Sequence, residues 1–250
     1  MSDTVIRLAK GSHPDQACDD AERCLFEWYN WLTRQAHTDS CPPGVSPVLH
    51  QFGMSLNDAL PDDTRQQLAR FLPNGTSPLT GTAGDGKDET RGFLALDWLI
   101  RTYLPAWLDL AGLADEATAL QELEPIRHLE AAEAAGPVVR RASNKAAAAW
   151  AAARAAAGAA ARAAARDAAG DAARDAAGDA ARAAAWVAAG AAAWAAAGDA
   201  ARAAAWAAAG AAARAAAWDA AWDAAWDKLA PVVARLQADA ILLYEAMCDA

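Results

Sequence analysis

The sequence predicts an all-α protein in three parts. These are a small helical N-terminal domain over 1–136, a long alanine-rich repeat helix over 137–229 and an amphipathic C-terminal helix over 230–250. Three observations carry that reading. Before residue 136, apolar residues recur at three- and four-residue spacing and do not alternate, which is the helical pattern. Between Trp150 and Trp226 every fourth residue is Trp, Arg or Gly, set in alanine, the strongest helix former. After Pro231, placed where a helix opens, Val232, Val233, Leu236, Ile241, Leu242, Leu243 and Met247 form one apolar stretch.

Met1 to Asp15 reads as extended chain. A first helix is expected from about Gln16 to Ala36, with Leu25, Trp28, Tyr29 and Leu32 at helical spacing. Pro42-Pro43-Gly44 cannot continue it, so His37 to Gly44 is a loop. Ser46-Pro47 should open a second helix, serine as cap and proline in the first turn, carrying Val48, Leu49, Phe52, Leu56 and Leu60. Pro61-Asp62-Asp63 ends it and caps a third with Leu68, Phe71 and Leu72. Pro73 to Gly86 is a loop rich in Gly, Thr, Ser and Pro. From about Lys87 a further helix carries Phe93, Leu96, Leu99, Ile100 and Tyr103 until Pro105 kinks or ends it, and Trp107, Leu108, Leu110 and Leu113 continue the apolar face. Two short helices follow, one ending near Leu123 and one starting at Pro125. Gly136-Pro137 is the expected hinge into the repeat.

The repeat has a higher period. Its glycines at 158, 170, 178, 190, 198 and 210 are spaced alternately 12 and 8 apart. As one helix, about 80 residues would reach roughly 120 Å. A four-residue step advances the marked stripe by about 40° on a helix of about 3.6 residues per turn. The stripe therefore spirals, unless the helix joins a right-handed supercoil of coiled-coil type or breaks at its glycines. Pairs such as Asp171 with Arg174, three residues apart, favour continuity. Seven tryptophans in this stretch are more than a solvated spacer needs, so Trp186, Trp194, Trp206, Trp218, Trp222 and Trp226 are the expected homo-oligomer interface.

Charge narrows the partners. Net charge is −10, from 22 basic and 32 acidic residues. The stretch from Trp150 to Trp226 holds seven Arg and seven Asp and is neutral, so the acidity belongs to the remainder. An acidic domain repels phosphate backbones, which argues against nucleic acid as a partner. The longest uncharged run of the repeat, 16 residues between Arg182 and Asp199, is mostly alanine and falls short of the about 20 apolar residues of a membrane span. Met1 to Lys10 lacks the basic start and apolar run of a secretory leader. A cytoplasmic protein with reduced thiols is expected.

Candidate chemistry is sparse. Gly81 to Asp88 nearly matches a phosphate-cradling GxxxxGK[ST] loop, but no strand precedes it and Asp88 stands where a hydroxyl must hold magnesium. The simpler expectation is a turn followed by a helix with Asp88 and Glu89 in its first turn. His13, Cys18, Cys24, His37 and Cys41 fall within the first 41 residues. His13, Cys24, His37 and Cys41 could close a tetrahedron around a structural zinc. The alternative is two thiols packed on the first helix beside a polar loop histidine. A Cys41 nucleophile with His37 as base is conceivable, though near neighbours in sequence rarely orient so. Asp62-Asp63 reads as a helix cap, and Asp97 and Asp109 as solvated positions.

Several strings carry a resemblance: Ser46-Pro-Val, Leu56-Asn-Asp-Ala-Leu-Pro-Asp-Asp63, Asp88-Glu-Thr-Arg91, Asp97-Trp-Leu-Ile-Arg-Thr102 and Pro105-Ala-Trp-Leu-Asp-Leu-Ala-Gly-Leu113, followed by the repeat. The chain resembles a group of alanine-rich-repeat proteins of high-GC bacteria and their phages. The resemblance covers most of the chain, and Asp97 to Leu113 is its most specific part. It implies an early histidine and cysteines near 24 and 41, in keeping with the zinc expectation, and implies no activity. The leading functional expectation is a non-enzymatic structural protein that self-assembles through the Ala/Trp repeat. The alternatives are an ice- or surface-binding helix and a zinc-stabilised regulatory module of phage–host origin. The repeat has no threonine, which weighs against the former.

Overall fold

The computed structural model describes residues 6–13, 23–76, 78–156, 159 and 226–250. Among these the chain is mostly helical and holds no strand, so the all-α class stands; one isolated parallel bridge joins Leu8 to Arg23. No helix among the described residues is long and apolar enough to cross a membrane. The chain divides into two compact units, Met1–Ser143 with Pro231–Ala250, and Asn144–Ala230.

In the first unit, α1 is Leu25–Leu32 and buries Leu25, Phe26, Trp28 and Tyr29. It ends earlier than its apolar spacing suggests, because Arg34 takes a left-handed backbone at φ 58° and the chain turns away. Residues 14–22, where the expected helix would begin, lie outside the described residues. The buried Arg23 guanidinium sits over Trp28 and Trp31, at 4.8 and 5.3 Å from the ring centroids.

The next helix, α2 (Pro47–Ala59), starts as its sequence dictates. The Ser46 hydroxyl accepts from the amides of Val48 and Leu49 at 3.2 and 3.3 Å, and Pro47 occupies the first turn. Leu49 and Leu56 face the core, while Val48 and Phe52 are partly buried on its edge. The short α3 (Asp62–Arg65) tightens into a 3-10 turn, Gln66–Phe71, that buries Leu68 and Phe71. A Pro73–Gly86 loop with left-handed glycines at 81, 84 and 86 then leads into α4 (Asp88–Trp98).

After α4 the helix widens. Leu99–Tyr103 is a π-turn, marked by the Leu104 amide donating to the Leu99 carbonyl five residues back. Pro105 supplies the reason. It has no N–H, and its ring would strike the carbonyl four residues earlier in a regular α-helix, so the backbone opens just before it. The axis then continues as α5 (Leu104–Leu110), and α6 (Ala114–Gln121) follows.

Three local expectations are corrected by tertiary bonds. Pro125 does not start a helix: 124–127 are non-helical because the buried Ile126 donates its amide to Asp97 at 2.7 Å. Asp97 is accordingly no solvated position, being only 14% exposed and also paired with Arg101 and Arg127. Gly136-Pro137 is not a hinge either. Helical backbone runs through 129–143, held by buried Ala135 and Ala142.

The terminal helix, residues 231–249 of this unit, packs through Tyr244, Met247 and Ile241 against α2 and the 3-10 turn. The buried Tyr244 hydroxyl donates to the Leu49 carbonyl at 3.0 Å. Gly53 makes the room, since a Cβ there would lie 2.3 Å from that hydroxyl oxygen. Arg91 anchors the far end of this helix by donating from Nε to the Met247 carbonyl at 2.9 Å. In the second unit, 144–156 and 226–230 are helical, so helical backbone precedes Pro231 and the proline does not open it. The expected repeat helix across 157–225 otherwise lies outside the described residues.

Candidate functional site

The residues expected to hold zinc are spoken for otherwise. Glu27, on α1, is wholly buried and gathers the nearby donors. Its carboxylate accepts from the amides of His13 and Cys24 at 2.6 and 2.8 Å, and pairs with His13 Nδ1 at 2.8 Å. His37 Nε2 lies 3.2 Å from the His13 carbonyl and 3.9 Å from Glu27. Burial by itself raises the Glu27 carboxyl, but these hydrogen bonds outweigh it and its pKa ends below the ordinary value.

The two cysteines do not complete a tetrahedron. Burial pushes the Cys24 thiol up to about 12, which opposes the thiolate that zinc requires. Cys41 lies at the surface with its sulfur 3.5 Å from the Val45 carbonyl, and its thiol is raised, by desolvation first and then by the Asp88 carboxylate. Among the described residues no three His, Cys, Asp or Glu side chains are arranged to hold a metal ion. Glu27, whose hydrogen bonds close the N-terminal turn of α1, takes His13 and the Cys24 amide. Cys41 and His37 each turn to backbone carbonyls, Cys41 to those of Pro42 and Val45 and His37 to that of His13. Cys18 lies outside the described residues.

The glycine loop is filled by its own side chains. Arg91 is wholly buried, with Nη2 2.6 Å from Asp85 and Nη1 3.1 Å from Asp88, while Ser46 donates its hydroxyl to Asp88. Asp85 is held below the usual carboxylate range chiefly by the Arg91 hydrogen bond, and the same bond raises Arg91. Where a phosphate would need open amides, an ion-paired strut ties the loop to α4 and to the terminal helix.

One open cavity is apolar. A groove of about 890 Å³ runs between α2, the α4–π–α5 segment and the terminal helix, all within the first unit. Val48, Phe52 and Leu56 form one wall, Val233, Leu236 and Met247 another, and Trp98, Tyr103 and Trp107 the third. No charged side chain stands among the described residues lining it.

The third wall is a product of the π-turn. Residues five apart on an α-helix point about 140° away from each other. The wider turn instead brings Trp98 and Tyr103 together, ring centroids 5.3 Å apart, and Trp107 follows at 6.0 Å from Tyr103. π-turns are rare and recur at functional sites. The indole Nε1 atoms of Trp98 and Trp107 are shielded from solvent and have no hydrogen-bond partner among the described residues. Trp28, by contrast, donates its indole N–H to the Arg7 carbonyl at 2.8 Å, as buried indoles normally do. An unmet buried donor costs about 1–3 kcal/mol, so two on one wall are a conspicuous expense.

Of the expected interface tryptophans, Trp226 is 55% exposed. Trp186, Trp194, Trp206, Trp218 and Trp222 lie outside the described residues. The sequence reading missed the groove, although Trp98, Tyr103 and Trp107 stand in the sequence with Pro105 between the last two, and that proline was the available signal. No protein-family model matches the chain, and searches of curated proteins and of solved structures returned no match.

Proposed function

We propose that this chain is a non-enzymatic binding protein whose first unit takes up an apolar ligand in the groove. The observation that carries the reading is the groove itself. Its volume of about 890 Å³ falls in the range of small-molecule sites, and its walls are apolar with few polar groups. The non-catalytic part is supported by how the reactive groups are held. The Cys24 and Cys248 thiols are pushed up to about 12, mainly by burial, and Glu27 and Arg91 are saturated by structural partners.

Titration with Nile red, an apolar dye that brightens when desolvated, tests this. Saturable binding at one site per chain is expected, weakened at least tenfold by Ala59→Trp. Ala59 lines the groove from an exposed position on α2, so the larger ring fills space without entering the core. Brightening that rises linearly with dye, indifferent to Ala59→Trp, would end the proposal.

A second reading, self-association through the alanine/tryptophan repeat, is favoured by the exposed rings of Trp150 and Trp226, 66% and 55% accessible. Large apolar rings on a charge-neutral stretch gain by mutual burial. Light scattering during size exclusion should then give a defined multiple of 25.9 kDa. A strict monomer at high concentration would remove this second reading and leave the groove untouched.

A further inference from the structure

We infer that the terminal helix is exchanged between two copies of the chain, so that residues 231–249 of one copy fill the seat that the first unit of the other presents. The inference rests on the self-association reading and names the element that joins the copies.

The seat has to be filled. Tyr244 and Met247 have no exposed surface, the Tyr244 hydroxyl donates to the Leu49 carbonyl, and Arg91 donates to the Met247 carbonyl. Nearer the surface, Arg70 pairs with Glu245 at 3.0 Å and Gln237 donates to the Ala59 carbonyl at 3.2 Å. Without a terminal helix the first unit would open this apolar core to water. Which copy supplies the helix depends on the chain between Ser143 and Pro231.

That chain is long, and its sequence favours helix throughout. About 90 residues, Asn144–Ala230, separate the two parts of the first unit. Backbone is helical over 144–156 at one end and 226–230 at the other, and neither Pro137 nor Pro231 interrupts the helix it sits in. From Ala146 to Ala225 there is no proline, serine, threonine or asparagine. Glycine and aspartate are the only turn-favouring residues there, and after each Gly-Asp an arginine stands three positions beyond the aspartate, the spacing of a helical ion pair. Alanine propensity summed over such a length favours one helix.

Length then decides the partner. At about 1.5 Å per residue that helix spans roughly 130 Å, against about 40 Å across a compact unit of this size. A helix so long carries its own terminal segment out of reach of the seat. Two copies running in opposite directions resolve this: each terminal helix meets the other copy's seat through the same contacts, and a two-fold axis closes the pair. Seven Arg and seven Asp between Trp150 and Trp226 leave the two repeats without a net charge to hold them apart. One consequence is that Val233, Leu236 and Met247, a wall of the groove, come from the second copy.

The test is crosslinking of the full chain carrying Ala59→Cys and Gln237→Cys, two residues in contact at the edge of the seat, with a short bismaleimide in dilute solution. Denaturing electrophoresis gives the mass of the linked species. Peptide mapping separates a 59–237 link from links through the exposed Cys41. The expected result is a 59–237 link in a species of twice 25.9 kDa, absent from either single variant. A 59–237 link confined to the single-chain mass overturns the inference, and light scattering then decides the self-association reading by itself. A ladder of higher multiples shows exchange passed along an open series of copies and overturns the closed pair. No 59–237 link at any mass overturns the inference as well, since the helix then leaves α2. A strict monomer in light scattering overturns both readings.

Discussion

Replacing Arg91 with alanine is expected to destabilise the protein by about 3–5 kcal/mol, the loss found when one partner of a buried ion pair is removed. The side chain has no exposed surface, and its guanidinium serves the carboxylates of Asp85 and Asp88 and the carbonyls of Thr82 and Met247. Its loss unties the glycine loop, α4 and the terminal helix together. Typical domains hold only about 5–15 kcal/mol in total, so a large part of the stability is at stake. Arg91→Lys should rescue little, because an ammonium cannot reproduce a planar fork of five donors. Urea unfolding followed by tryptophan fluorescence measures this; a loss below about 1 kcal/mol for the alanine variant would refute the strut. The pH dependence has a defined sign. Asp85 is held low in the folded protein, so its contribution is present above the unfolded carboxylate pKa of about 3.9 and is lost as pH falls through the folded value. The alanine variant should show a flatter acid limb below about pH 4.

The second large effect is expected at Glu27. Glu27→Ala leaves the amides of His13 and Cys24 without their acceptor, along with the His13 ring. Hydrogen bonds to a buried carboxylate are worth about 1.5–3 kcal/mol each, and with partial rescue by water a net loss of about 3 kcal/mol is expected. The damage should be local first. Segment 6–13, tied to α1 through this carboxylate, to the 3-10 turn by the Gln66 contacts of Leu8 and to α2 by the Asn57 contact of Ala9, should exchange its amide hydrogens faster than the Tyr244 core. Hydrogen exchange read residue by residue checks it; unchanged protection at His13 and Cys24 would show that Glu27 is not the tether. Glu27 is also depressed in the folded state, so its contribution is complete above its ordinary pKa and fades as pH falls below about 4.

Legibility in the sequence followed the range of the interaction. The Ser46-Pro47 start of α2 was readable because a cap is made by residues two and three positions away. The disturbance at Pro105 was readable for the same reason, although its form was not: a proline says that the ladder breaks, and packing chooses between a stop, a kink and a π-turn. Glu27 was passed over because a glutamate is almost never fully buried unless paired. The pairing here comes from His13, fourteen positions upstream, by way of a loop. The zinc quartet rested on nearness in sequence, and the chain turns Cys41 to the Val45 carbonyl and His13 to Glu27.

Composition and spacing alone thus determined the all-α class, the neutral repeat, the acidity outside it and the ends of several helices, since helix propensity and capping act within a turn or two. Only the tertiary structure decided that Asp97 accepts from the Ile126 amide and that the terminal helix seats Tyr244 against Leu49, 195 positions away. Only it aligned three separate segments into one uncharged groove. The reason is physical. A groove is the space that packing leaves between helices, and each helix records only its own apolar face, not the neighbour that face will meet.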